Sequence, residues 1–354
     1  MEISLFDYNL PEDLIAQEPS KKRKDSRLLV YHYQKDLIED RFFYEIIDYF
    51  KKGDILVLNN TKVYPARLLG KINGKDAEIV VLKIIDSHHF EIMGKPTKKM
   101  KIGEKFILET GEEIIFKNII KDSPIGATRL CYSEFDIREL LYSKGHVPLP
   151  PYIKRKDKDE DKILYQTVFA QKEGSVAAPT AGLHFTEDLL HRLREKGVDI
   201  LYITLHVGVG TFRPVKTSDV TKHRMHYEEY FVSKDVAKKL TKAKMENRRI
   251  IATGTTVVRT LETIYDKENK TFSYGHGHTN LYIYPPYKIE SIDALITNFH
   301  LPKSTLLMLI AAFLDDSIDI PKEKTHWYKI YSHAIEKKYR FYSYGDATFL
   351  IKRE

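Results

Sequence analysis

Apolar and polar positions alternate along this chain in two rhythms, and the change between them marks its organisation. From about Arg67 to Tyr132, short strand-like runs (RLLGKI, AEIVVLKII, HFEIMGK, KFILE, EEIIFKNII) are separated by turn signals at Asn73-Gly74, Asp86-Ser87, Thr110-Gly111 and Ser123-Pro124. Closely spaced runs with no helical period predict an all-β unit, a small barrel or sandwich. A helical period returns at FDIRELLYSKG, ended by Gly145, and HVPLPPYI then predicts a stiff extended connector.

After Asp161 the rhythm becomes strand, polar loop, helix. SVAA leads into PTAGLHFT, and Thr186, with Glu187 and Asp188 behind it, suits the N-cap of EDLLHRLREK, which Gly197 closes. DILYITLHV, RRIIAT and DALIT predict buried strands, the last two leading into the helices TTVVRTLETIYD and STLLMLIAAFL. DILVLNNT adds a strand just ahead of the β-rich stretch. The predicted class is therefore α/β: a barrel-like α/β main domain from residues 1–62 and 150–354, with a small all-β, barrel-like domain, residues 63–149, inserted into it.

Four junctions of the main domain are polar and rich in Gly, Thr and His where an apolar run ends: GSVAAPTAGLHF, LHVGVGTFRPV, IATGTTVVRTLE and LITNFHLPKSTLLMLIAAF. In α/β folds the residues just beyond the carboxyl ends of strands converge on the ligand site. That rule selects Asn60 and Thr61; Thr180 and His184; His206, Gly208, Gly210 and Thr211; Gly254, Thr255 and Thr256; Asn298, His300, Lys303, Ser304 and Thr305; and Tyr344, Gly345 and Asp346.

Each group has a plain reading beside a functional one. TGTT offers free N–H groups at a helix start to a carboxylate, phosphate or ribose oxygen, or simply caps the helix. Lys303-Ser304-Thr305 is a comparable anion cradle, or Ser304 is an ordinary N-cap. His184 and His300, each beside a Phe, are candidate acids or bases, or satisfied structural histidines. His223 and His226, near Glu228 and Glu229, lack the i, i+4 spacing of HExxH, so a polar pocket wall is expected and no metal. His276 and His278 predict a surface hairpin tip. Arg67, Arg213, Arg259 and Arg340 are candidate forks for phosphate or carboxylate, although Arg259 could instead pair with Glu262 three residues on. Glu228 and Asp346 are the carboxylates suited to a sulfonium or amine.

Composition narrows the class. With 354 residues and 42% hydrophobic content the chain can bury a large core. Its longest apolar run, Leu306 to Leu314, is too short for a bilayer, and the acidic N-terminal segment is unlike a signal peptide, so a cytoplasmic protein with no membrane contact is expected. The single Cys131 excludes an internal disulfide and fits a buried small hydrophobe. A net charge of +7 is compatible with a polyanionic partner. Two basic clusters stand out, Lys21 to Lys24 and Lys154, Arg155, Lys156 and Lys158, the second diluted by acids and equally readable as a linker.

Ten blocks in order, LPEDLIAQEP, GDILVLNNTKVYPARL, HVPLPPYI, YQTVFA, GSVAAPTAGLHFTEDLL, TLHVGVGTFRPV, HRMHYEEY, RRIIATGTTVVRTLE, TNFHLPKSTLLMLIAAF and YRFYSYGDATFLI, resemble the S-adenosylmethionine:tRNA ribosyltransferase-isomerase family of the queuosine pathway. The resemblance runs from about Leu10 to Ile351, and the β-rich middle carries least of it. It implies transfer of the ribosyl portion of S-adenosylmethionine to 7-aminomethyl-7-deazaguanine at the tRNA wobble position, giving epoxyqueuosine, adenine and methionine. The donor is consumed as a substrate and no metal or redox cofactor is implied. The implied partner is the anticodon stem-loop of a tRNA with a GUN-type anticodon, and a monomer is expected. In that chemistry the sulfonium acidifies the adjacent 5′ carbon, adenine leaves with the help of a proton, and the substrate amine sheds its own. Resemblance and junction rule agree on His184, His206, His300, Glu228 and Asp346 as catalytic candidates, with the remaining junction residues apart from Gly345, and His223, His226, Arg67, Arg259 and Arg340, as substrate-binding candidates. Departures from the family pattern are Leu164 for a common Arg, Pro285-Pro286-Tyr287 for Pro-Gly-Tyr, and Asn60 for a frequent Asp.

Two other classes compete. An S-adenosylmethionine-dependent RNA methyltransferase predicts a Gly-rich loop after the first strand and an acidic ribose-binding residue after the second, and the sequence has neither. A non-catalytic RNA-binding protein leaves the histidines and Gly/Thr loops without a purpose.

Overall fold

A computed structural model of the chain describes residues 1–20, 23–120, 127–208, 210, 215 and 217–354. In chain order, β1 (Arg27–His32), β2 (Leu37–Phe42), β3 (Ile55–Asn59) and the short β4 (Thr61–Val63) come first. Six strands follow: β5 (Arg67–Ile72), β6 (Lys75–Ile84), β7 (His89–Lys95), β8 (Lys105–Leu108), β9 (Glu113–Ile120) and β10 (Thr128–Ser133). Then come α1 (Ile137–Lys144), α2 (Asp161–Leu164), β11 (Lys172–Ser175), α3 (Glu187–Glu195), β12 (Asp199–Leu205), β13 (Glu228–Val232), α4 (Lys234–Met245), β14 (Ile250–Thr253) and α5 (Thr255–Ile264). A hairpin of β15 (Tyr265–Asp266) and β16 (Thr271–Phe272) precedes β17 (Gly275–Thr279), β18 (Ala294–Asn298), α6 (Thr305–Phe313), α7 (His326–Glu336) and β19 (Ala347–Ile351).

The expected β unit is a closed barrel in the order β10-β7-β6-β5-β8-β9. Period-two burial along β5 and β6 sends Leu68, Ile72, Ile79 and Val81 inward to meet Phe90, Phe106, Phe116 and Cys131, and α1 brings Leu140 and Leu141 to the same core. Asp136 caps α1 by accepting from the amides of Arg138 and Glu139.

The larger sheet, in the order β17-β13-β12-β3-β14-β18-β19-β1-β2 among the described residues, runs between two edges, so closure belongs to the inserted barrel. Its middle, β12, β3, β14 and β18, is parallel, and all five residues of β3 are buried, as a strand covered on both faces requires. One face packs Ile55, Val57, Ile250 and Leu295 under α4, α5, α6 and α7; the other packs Leu56, Leu58, Ile251 and Ile296 under α3 and the turn at Phe43 and Ile46. Thr186 accepts from the amide of Leu189 at 3.2 Å to cap α3, as expected. The charged edge strand β2 (LIEDRF) is mostly exposed, which discourages pairing with a second sheet. Among the described residues no helix is long and apolar enough to cross a membrane.

β19 runs antiparallel to β18, pairing Asn298 with Ala347. The segment Tyr344-Gly345-Asp346 therefore reaches the same rim as the parallel strands' carboxyl ends although it precedes its strand. His276 and His278 are exposed as expected, but they lie within β17, paired to β13, and form no hairpin tip.

Candidate active site

The carboxyl ends of β3, β12, β14 and β18 open onto two cavities that share Val207 and Leu306 in their walls. The larger, about 510 Å³, lies between the barrel and the main sheet. Of the residues singled out from sequence, His206, Gly208, Gly210, His223, His226, Glu228, Arg259 and Thr305 line it. Thr180, Gly254, Thr255, Thr256, Asn298, His300 and Ser304 line the smaller one, about 70 Å³. Thr211 and Arg213 lie outside the described residues.

Asn59, buried and not anticipated, ties the rim together. Its side-chain oxygen accepts from the amides of Thr61 and Leu205, both at 3.1 Å, and its amide donates to the Leu205 carbonyl at 2.9 Å and the Thr256 hydroxyl at 3.4 Å. One side chain thus joins the ends of β3 and β12 to the start of α5. The carboxyl-end rule reaches this position, but nothing in the sequence separates it from Asn60, whose oxygen accepts from the Thr204 hydroxyl at 2.8 Å.

In the larger cavity His206 is held by β4 and β11. Its Nδ1 lies 2.9 Å from the Thr61 hydroxyl, and its ring lies against Gly174, where a Cβ would come within 2.6 Å of it. Gly174 also has φ +148°, so a side chain is excluded twice over. Burial lowers the His206 imidazole below its ordinary range, with Glu229 acting weakly the other way. Opposite, Glu228 accepts from the buried Arg259 and, at 3.3 Å, from the amide of Gly208.

The smaller cavity is uncharged. Gly254, at φ +88°, turns β14 into α5, and Thr255 and Thr256 bring the first turn of that helix to the cavity wall. His300 sits opposite, with Nε2 at 3.0 Å from the Thr297 hydroxyl and its amide donating to Tyr331 at 3.0 Å. Burial lowers its imidazole to about 3. Thr180 donates to Asn298 at 3.0 Å, and the Asn298 amide meets His184 Nε2 at 3.2 Å.

Several expectations are corrected. His184 lines neither cavity: it stands behind Asn298, against Phe43, and burial, helped by Arg23 and Arg340, lowers it to about 3. Both His184 and His300 are thus held in the neutral form near pH 7. Asp346 also lines neither cavity; it accepts from the amides of Arg27 and Arg340 at 2.9 and 2.8 Å and pins the start of β1 to the chain ahead of β19. Tyr344 donates to the buried Asp161 at 3.0 Å. The three candidate arginines among the described residues are engaged within the protein: Arg67 with Glu78 at 2.6 Å, Arg340 with Ser20 at 2.9 Å and the Glu18 carbonyl, and Arg259 with Glu228 rather than Glu262. Glu262 instead accepts from Tyr287, Glu290 and Ser291. Ser304 is the N-cap of α6, and Lys303 pairs with Asp7 at 2.9 Å. Asn60, Thr61 and Lys303 contribute to the rim from behind, outside both linings.

Three members of the second basic cluster are ion-paired, Lys154 with Glu12, Arg155 with Asp161 and Lys158 with Glu18, so it is a folded connector and not a free cationic face. Lys21 and Lys22 of the first lie outside the described residues. His223 packs edge-on to Tyr282 in the cavity wall.

Fold and site together define a mixed α/β protein with an inserted barrel and a composite pocket at the seam. Its sequence matches, over residues 3–350, the profile described as "Queuosine biosynthesis protein", and the chain belongs to that family. It is 48% identical over 353 residues to a protein of Sulfurihydrogenibium sp. (strain YO3AOP1), covering 99% of this chain and 100% of the relative, and 49% identical over 351 residues to one of Thermosipho africanus (strain TCF52B), with the same coverage. Both relatives are named S-adenosylmethionine:tRNA ribosyltransferase-isomerase. The crystal structure of an S-adenosylmethionine tRNA ribosyltransferase from Thermotoga maritima superposes with a TM-score of 0.54 at 34% identity, covering 98% of this chain and 100% of the other.

Proposed function

We propose that this protein transfers the ribosyl portion of S-adenosylmethionine to the aminomethyl group of 7-aminomethyl-7-deazaguanine at the wobble position of a tRNA with a GUN-type anticodon, and isomerises it to epoxyqueuosine with release of adenine and methionine. It acts as a monomer in the cytoplasm and consumes the donor as a substrate, with no metal or redox cofactor. The observation that carries the reading is full-length similarity to relatives named for that reaction, at 48% and 49% identity.

The site's chemistry supports it. Both substrates bring a cation, a sulfonium and an aminomethyl ammonium, and the larger cavity carries the carboxylates of Glu91, Glu173, Glu228 and Glu229. Its volume of about 510 Å³ suits a nucleoside-sized ligand. His206 and His300 place neutral imidazoles in the walls of the two cavities, and the start of α5 supplies hydroxyls and amides for the oxygens of the ribose or of methionine. His184 and Asp346 serve by holding Asn298 and the rim in place.

The test is incubation with adenine-labelled S-adenosylmethionine and tRNA carrying the aminomethyl precursor. Free adenine is expected. S-adenosylhomocysteine would instead indicate methylation, and absence of turnover would indicate binding alone.

A further inference from the structure

We infer that Thr61 is a positioning residue that holds His206, in the wall of the larger cavity, in a single tautomer with an unprotonated Nε2, and that this nitrogen takes the proton from the substrate's cationic aminomethyl group. The inference rests on the reaction proposed above and assigns one of its proton transfers.

His206 Nδ1 lies 2.9 Å from Thr61 Oγ1, and the same hydroxyl lies 3.4 Å from the carbonyl oxygen of Lys172 on β11. The inferred arrangement directs the single hydroxyl proton of Thr61 to the Lys172 carbonyl, which can only accept, and leaves the hydroxyl oxygen to accept from Nδ1–H at the shorter contact. A neutral imidazole with its proton on Nδ1 carries a lone pair on Nε2. That nitrogen has no hydrogen-bond partner among the described residues, and His206 belongs to the cavity wall. Backbone geometry keeps the ring in place: Gly174 leaves it room, the His206 amide donates to the Glu229 carbonyl at 2.9 Å, and Asn59 fixes the Thr61 amide at 3.1 Å.

The charged groups around the ring suit a base for a cation. Glu229 on β13 acts on it directly, Glu228 on the same strand is held by Arg259, and Glu173 on β11 is paired with Lys62 of β4 at 2.9 Å. In the step, one N–H bond of the ammonium breaks, its electron pair stays on the amine nitrogen, and the proton arrives on Nε2. The resulting imidazolium is stabilised by Glu229, and the amine becomes a nucleophile.

Full-length wild type, Thr61→Val and Thr61→Ser are compared in two measurements. The first is the nitrogen NMR spectrum of histidine-labelled protein, with His206→Gln identifying the His206 resonances. A protonated Nδ1 and a bare Nε2 are expected in wild type and T61S, and a tautomer mixture in T61V. The second is steady-state adenine release, where T61V should lose on the order of 10²-fold in kcat with KM for both substrates nearly unchanged, and T61S should recover most of it. A protonated Nε2 in the wild type, or a T61V variant with wild-type kcat, overturns the inference. The tautomer is read without turnover, so its failure is separable from that of the reaction: a wild type that releases no adenine refutes the reaction and with it the amine step.

Discussion

Glu228 and Arg259 form an ion pair in the wall of the larger cavity with side chains only 4% and 5% exposed. Arg259 also donates to the carbonyls of Leu281 at 3.1 Å and Thr279 at 3.5 Å, so its donors are directed at the protein and its work is to hold Glu228. Removing one partner strands a buried charge. Arg259→Ala is therefore expected to cost about 3–5 kcal/mol in urea unfolding, whereas Glu228→Gln with Arg259→Met should recover most of that stability. The double variant should remain poorly active, because the carboxylate is gone. Equal stability of Arg259→Ala and wild type would show the pair to be solvated.

Gly174→Ala places a methyl group within 2.6 Å of the His206 ring at a φ of +148°. The ring must move off the Thr61 hydroxyl, and adenine release should fall by about 10-fold or more while the barrel domain stays folded, since only the orientation of a reacting group is lost. Unchanged turnover would mean the ring has another stable seat.

His300→Ala should abolish adenine release with a small change in melting temperature, because the imidazole lines the smaller cavity and, among the described residues, its one side-chain partner is the Thr297 hydroxyl. Normal turnover would remove it from the reaction.

Acid should destabilise the fold through His184. Its imidazole is held at about 3 in the folded protein against about 6.5 when unfolded. Below the unfolded value only the unfolded chain binds the proton, so the stability is fully present above about pH 6.5 and falls as pH drops toward 3, with a slope of up to about 1.4 kcal/mol per pH unit. Urea midpoints measured from pH 7 to 4.5 should show this slope in wild type and a shallower one in His184→Gln. Parallel curves would mean that His184 is protonated in the fold.

Binding of precursor tRNA should weaken steeply with added salt, as phosphate contacts release counterions. Since Lys154, Arg155 and Lys158 are already paired with acids, replacing Lys154 by Ala should leave the salt slope nearly unchanged. A flat salt response in the wild type would contradict phosphate contacts altogether.

Local rhythm was enough to find the barrel, the α/β layers, the Thr186 cap and the four polar junctions, because strand and helix periods and capping depend on residues close in the chain. The junction rule also reached both cavities, since parallel strands carry their carboxyl ends to one rim whatever their order in the sheet. Family blocks named the chemistry without placing any side chain.

Tertiary structure alone decided the partners. Arg259 lies three residues from Glu262 yet meets Glu228, 31 residues away, because β13 delivers that carboxylate to the buried face of α5. Asp346 comes to the rim because β19 runs against β18, and there it meets backbone amides before any substrate. His184 faces Asn298, and His206 faces Thr61, across 114 and 145 residues. Strand order and register set such encounters, and they settle which polar groups are satisfied within the fold and which remain open to a ligand.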